Sequence, residues 1–148
     1  MITEYVSPAR LIDAALRATA IAPMSATADW TSIYGNMPAE KPTNRLAVMS
    51  TSPITWFKDP RTMQLVQHLG AQVLVRSKKK EAGFLKAMAV IARLIRAKVD
   101  DPIAVTIDSV DYVITHCSLA SGPIYIGWEE KDLADFHSVN LLFTAEPG

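Results

Sequence analysis

Two groups of carboxylates come nearest, by type and spacing, to doing chemistry: Asp100, Asp101, Asp108 and Asp111, then Glu129, Glu130, Asp132 and Asp135. A metal-dependent hydrolase or nuclease needs two or three such groups converging on one hard cation. Local context gives them a plainer reading. Asp100-Asp101 stands before Pro102 as a helix stop, Asp108 and Asp111 flank a turn, and 129–135 has the composition of a loop. His68, His116 and His137 are far apart, and none has a ligand-type neighbour two to four residues away. No serine stands in a nucleophile elbow, and the six glycines are scattered without forming a phosphate-cradling loop. Cys117, the only cysteine, lies in an apolar-alternating run, as a small core residue does. The expectation is a protein without catalytic group, metal or cofactor.

Cations are more concentrated. Arg76, Lys78, Lys79 and Lys80 form one run, and Lys86, Arg93 and Arg96 extend it along a predicted helix. Such a stripe can contact phosphates, face an acidic neighbour or be a solvated helix start. It lacks interleaved aromatics, so base stacking is not among its uses. The formal charge of the 148 residues is zero, but its layout is uneven. Residues 61–98 carry nine Lys and Arg against Glu81, and 99–148 carry nine Asp and Glu against Lys131. Two consecutive segments of roughly +8 and −8 can pair within one molecule or between copies, which concerns association rather than fold.

The elements that must position these residues follow from capping and periodicity. Ser7-Pro8 reads as an N-cap and first helical position, with Leu11, Ile12, Ala15, Leu16 and Thr19 at helical spacing, so 8–19 is a predicted helix. Short strands are expected at 30–34 and 45–51, and a further strand region over 63–76. The segment between the last two, through Pro60, reads as an exposed loop carrying Trp56 and Phe57. A long amphipathic helix is predicted over 79–98. Phe84, Leu85, Met88, Ile91, Ala92, Ile95 and Val99 form its apolar face, with Lys79, Lys86, Arg93 and Arg96 opposite. Residues 103–145 read as β: strands at 103–107, 112–119, 124–128 and 136–145, the first two joined by a tight turn.

The length fits one domain over 1–148 with a core of its own. The element order favours an α+β fold: a mainly antiparallel sheet with two helices packed on one face, the other face solvated or covered by another copy. The N-terminus lacks the layout of a secretory signal, and no run approaches the ~18–20 apolar residues of a membrane span, so a soluble, non-membrane protein is expected.

With the elements placed, the chain resembles the minor capsid or tail-terminator proteins of long-tailed bacteriophages. The resemblance runs over about Ile33 to Phe143. It is carried by Tyr34-Gly35-Asn36-Met37-Pro38, Asn44 leading into Leu46-Ala-Val-Met49, and Ala71-Gln-Val-Leu-Val-Arg76 feeding into Gly83-Phe-Leu-Lys-Ala-Met88. Gly122-Pro123-Ile-Tyr-Ile-Gly127, an acidic loop and Phe136-His-Ser-Val-Asn140 complete it. Where such proteins have a glycine-rich turn after the first strand, this chain has Thr51-Ser52-Pro53.

The resemblance implies a structural virion protein of the phage neck, assembled in the host bacterial cytoplasm. Its copies would form a ring, six-fold in such proteins, on the last ring of the tail tube. The ring ends tube polymerisation and joins the tail to the head connector, with DNA passing through its lumen. A ring closes through a head-to-tail contact of two different patches. The expected patches are a basic one (Arg76, Lys78, Lys79, Lys80, Lys86, Arg93, Arg96) and an acidic one (Asp100, Asp101, Asp108, Asp111, Glu129, Glu130, Asp132, Asp135). Trp56 and Phe57 are the candidates for docking to tube or connector. The alternative reading is a nucleic-acid-binding module that uses the basic 76–98 region. A metal-dependent hydrolase resting on the acid clusters is a third.

Overall fold

Ser7 caps the first helix as its sequence implies: its side-chain oxygen accepts from the backbone N–H of Arg10 at 3.3 Å, with Pro8 in the first turn. Helix α1 spans Pro8–Ala18, and Ala20, at a positive φ of 62°, turns the chain away. The structure, a computed structural model, describes residues 6–22, 30–39, 43–51, 55–58, 60–61, 65–131 and 133–148. Strands β1 (Thr31–Tyr34), β2 (Arg45–Ser50), β3 (Thr55–Lys58) and β4 (Leu65–Ser77) come next, then helix α2 (Lys80–Leu94). Strands β5 (Ile103–Ile107), β6 (Val110–Glu129) and β7 (Ala134–Pro147) complete the chain.

One mixed sheet runs in the order β1-β2-β4-β7-β6-β5, with β3 paired to β4 beside that path. Only β1 and β2 are parallel; every other pairing is antiparallel. The register puts Leu46 and Val48 opposite Val75 and Val73, and Val73, Ala71 and Leu69 opposite Val139, Leu141 and Phe143. These side chains therefore share one face, where Leu11, Ile12 and Leu16 of α1 and Ala87, Val90, Ile91 and Leu94 of α2 bury them in a single core. Both helices cover this face, and the fold is α+β as the element order implies. The sheet is curled: α1 packs against β1, β2 and β4 and also against β5, the strand at the other end of the order.

Three sequence-based expectations change. Trp56 and Phe57 lie in a strand rather than a loop, because 55–58 pairs antiparallel with the start of β4, Trp56 opposite Gln67. The two strands expected at 112–119 and 124–128 are one continuous strand. β7 pairs along its whole length and absorbs the extra residues as bulges near His116, Ser121, Ile124 and Gly127. Gly122 makes one of these breaks possible: its φ is +117°, and a Cβ there would stand 2.7 Å from the carbonyl oxygen of Ser138.

The third change concerns α2. It buries Gly83, Ala87, Val90, Ile91 and Leu94, so of the face that the larger apolar residues marked out only Ile91 is in the core. Phe84, Leu85, Met88, Ala92 and Ile95 are exposed, as is Val99 beyond the helix. The reason is close approach. Small side chains at 83 and 87 let the helix axis sit low over β4 and β7, where bulkier ones would lift it.

Candidate functional site

The apolar residues that α2 leaves exposed flank the buried Ile91 in a seam. Phe84, Met88, Ile91 and Ile95 follow steps of four, three and four, and all but Ile91 are more than 40% exposed. This is the spacing by which a helix presents one side to a partner. Leu85, 60% exposed, and Ala92 widen the seam.

A second apolar surface lies on the end of the β6–β7 hairpin. Among the described residues, β5 pairs only with residues 110–114 of β6, so 115–129 have no strand on their outer side. Leu119, Ile124 and Tyr125 are exposed along this arm; Ile126 and Trp128 near its tip and Leu133 in its turn are 56%, 55% and 66% exposed. Leu133 sits at a positive φ of 49° in the turn between β6 and β7. Exposed large apolar side chains concentrated in one segment mark a candidate interaction surface.

Arm and helix meet at the root of the arm, around a recess of about 520 Å³ lined by Lys80, Glu81, Phe84, Pro123, Tyr125 and His137. The imidazole of His137 is buried and takes two aromatic edges, Tyr125 at 5.3 Å and Phe84 at 6.3 Å between ring centroids. Its Nδ1 is enclosed and has no hydrogen-bond partner. Burial holds its pKa below the ordinary value; Asp135 opposes that shift and Lys80 adds to it. The Lys80 ammonium lies 4.1 Å from the centre of the Tyr125 ring. The Tyr125 hydroxyl donates to Asp135 Oδ1 at 2.7 Å, which raises the pKa of the phenol. These contacts tie the edge strand β6 to the first turn of α2 across β7, which stays paired with β4 as far as Asp135.

The basic residues separate in the fold. Arg76 does not belong to the surface: it is 1% exposed, and its guanidinium donates to the carbonyls of Thr43, at 2.9 Å, and Pro38. It thereby anchors the crossover between the parallel strands β1 and β2. Lys86 is half-buried with its ammonium 5.3 Å from the Trp30 ring, and desolvation lowers its pKa. Lys78, Lys79, Lys80 and Arg96 are exposed and Arg93 is half-buried.

The acidic residues do not form one patch either. Asp108 pairs with Arg10 at 3.1 Å, Asp111 accepts from the Thr106 hydroxyl at 2.7 Å, and Asp135 accepts from Tyr125. Asp100, Asp101, Glu129 and Glu130 are exposed, and Asp132 lies outside the described residues. Asp108 and Glu129 stand at opposite ends of a 20-residue strand. The register explains the resulting mixture. Ser77 lies opposite Asp135, so Lys78–Lys80 and the acids of the arm share one end of the molecule. Helix α2 then leads back, so Arg93, Arg96 and Lys98 come to the end that holds Asp100 and Asp101. The two oppositely charged segments run alongside each other, and each end of the molecule carries both signs.

Trp56 and Phe57 are placed by the backbone of β3 at the β4 margin of the sheet; their side chains lie outside the described residues. Among the described residues, no three of His, Cys, Asp and Glu come together as a cation would require. No described helix is long and apolar enough to cross a membrane. A second opening of about 480 Å³ lies between α1 and the two end strands, where Arg10 spans Tyr34, 5.4 Å from its ring centre, and Asp108.

What sequence reasoning missed is the exposure of the seam and of the outer edge of β6. A signal for the first was present. Gly83, Ala87, Val90 and Leu94 form a second seam with the same steps, immediately beside the first. A helix apolar over both has more apolar surface than one sheet face can cover. In comparisons with known proteins, the chain matches no described family and no curated protein sequence.

Proposed function

We propose that this protein is a structural subunit of the neck of a long-tailed bacteriophage. In this reading, its copies close a ring on the tail tube, end tube polymerisation and join the tube to the head connector. The reading starts from the resemblance carried by the two segments 34–49 and 71–88 and by 122–140. The observation that supports it is the presence of two separate exposed apolar surfaces on one chain, the α2 seam and the end of the arm. A ring closed head to tail needs two different patches. Apolar surface holds such a contact. Exposed ion pairs, worth about 0.2–1 kcal/mol each, orient it at most.

The test is the molar mass of the purified protein by light scattering on a sizing column, at low and high salt. A mass near six chains of 16.2 kDa is the expected result. Because both signs are mixed at each end and apolar groups dominate, the ring is expected to persist at about 1 M salt, where screening acts within ~3 Å. A second arm adds the chain to polymerising tube subunits, where it should cap tubes and stop their growth. A monomer in both experiments overturns the reading.

A further inference from the structure

We propose that the tip of the β6–β7 arm docks on the C-terminal half of the α2 seam of the neighbouring copy. The inference rests on the ring reading and deepens it by naming the contact. The tip and the C-terminal half of the seam do not meet within one chain. Asp135 lies opposite Ser77, just before α2 begins, so the tip stands beyond the N-terminal end of the helix. Met88, Ile95 and Val99 lie toward its other end, and a helix of 15 residues is about 22 Å long. Each surface is therefore left for another copy.

Their chemistry is complementary. The tip presents Trp128, a large rigid anchor of the kind that dominates interface energetics, beside Ile126. Met88 offers an adaptable thioether side chain and Ile95 an apolar wall. Glu129 and Glu130 adjoin the tryptophan, and Arg93, Arg96 and Lys98 adjoin Ile95. Lys131 and, from the same end of the molecule, Lys78–Lys80 offset the glutamates, as Asp100 and Asp101 offset the helix cations, so charge orients the contact and apolar surface holds it. Like pairings are poorer. Tip against tip opposes the two glutamates of each copy, and seam against seam closes at two copies with Trp128 uncovered.

The experiment uses full-length chains carrying Trp128→Glu or Met88→Glu, both at exposed positions, with circular dichroism confirming that each is folded. Each variant alone should lose the ring, its association weakened about 30-fold or more. An equimolar mixture retains one intact tip and one intact seam. It should yield a species of twice the 16.2 kDa chain mass and nothing larger. If wild type forms rings and either variant still does, this contact is overturned while the ring reading stands. Loss of the ring with Met88→Glu but not Trp128→Glu points to a seam-to-seam contact and overturns the tip. Wild type that never associates, even at millimolar concentration and on tail tubes, overturns both.

Discussion

Gly83 lies directly over His137: a Cβ at position 83 would stand 3.0 Å from the imidazole Nδ1 and 3.2 Å from the Cβ of Ser77. The missing side chain is what lets the first turn of α2 rest on β4 and β7.

Gly83→Ala is therefore expected to destabilise the fold by about 1–2 kcal/mol, although alanine is the better helix former by about 1 kcal/mol. Ser77 cannot easily give way, because it is fully buried and its hydroxyl donates to the Lys79 carbonyl at 2.7 Å. Urea unfolding read by circular dichroism checks the sign. A more stable alanine variant would mean that the helix can lift without loss.

His137 gives a pH dependence whose direction follows from burial. Its folded pKa lies below the ordinary 6.5, with Lys80 adding to the shift and Asp135 opposing it. The unfolded chain then binds the proton at higher pH than the folded one. The stability gained from the neutral ring is complete above pH 6.5 and declines as pH falls below it. The slope from one such group cannot exceed about 1.4 kcal/mol per pH unit. Melting temperatures measured from pH 7.5 down to the onset of carboxylate titration near pH 4 should show it, and His137→Gln should flatten the curve.

Arg76 and Lys79 are neighbours in one basic run with opposite fates. Arg76→Met leaves the carbonyls of Pro38 and Thr43 without their buried donor and should cost about 2–4 kcal/mol. Lys79→Met, at an exposed position, should change stability by no more than about 0.5 kcal/mol. Equal effects in chemical denaturation would contradict this division.

Asp108 and Ser109 turn β5 into β6 with both residues at positive φ, 51° and 66°. Aspartate tolerates that conformation better than serine does. Ser109→Gly should raise stability by up to about 1 kcal/mol, seen as a higher melting temperature without a change in m-value.

Cys117 is buried, and burial pushes its thiol up to about 12. Reaction with a thiol reagent at pH 8 should be slow in the folded protein and fast in urea. A rate equal to that of a free thiol would show that the strand opens locally.

Local chemistry made part of this fold legible. Ser7-Pro8 and the periodic leucines placed α1 within one residue of its observed end, and alternation placed β5 and the tight turn after it. Reading failed where the outcome depends on distant partners. β6 runs through Gly122-Pro123 because β7 pairs with it on both sides of the break, which nothing near residue 122 announces. Arg76 looked like a surface cation in its run, but its partners are carbonyls 33 and 38 positions away.

The candidate site was legible in its residue types and not in its exposure. On α2 the bulkier seam looked like core, yet close packing on β4 and β7 selected the smaller one. On β6, Ile124 and Tyr125 are adjacent and point to opposite faces, yet both are exposed, because among the described residues no strand pairs with the outer side of 115–129. Hydropathy ranks side chains; it does not say where the opposing layer ends.

The packing of α1 against both β1 and β5 sets an order of events during synthesis. The helix leaves the ribosome before β5, and one wall of its berth is made of residues 103–107. Translation at 5–20 residues per second delays that strand by on the order of 5–20 s. Throughout this interval Leu11, Ile12 and Leu16 lack part of their cover, so the nascent chain offers the apolar face of α1 to any chaperone that waits at the exit tunnel.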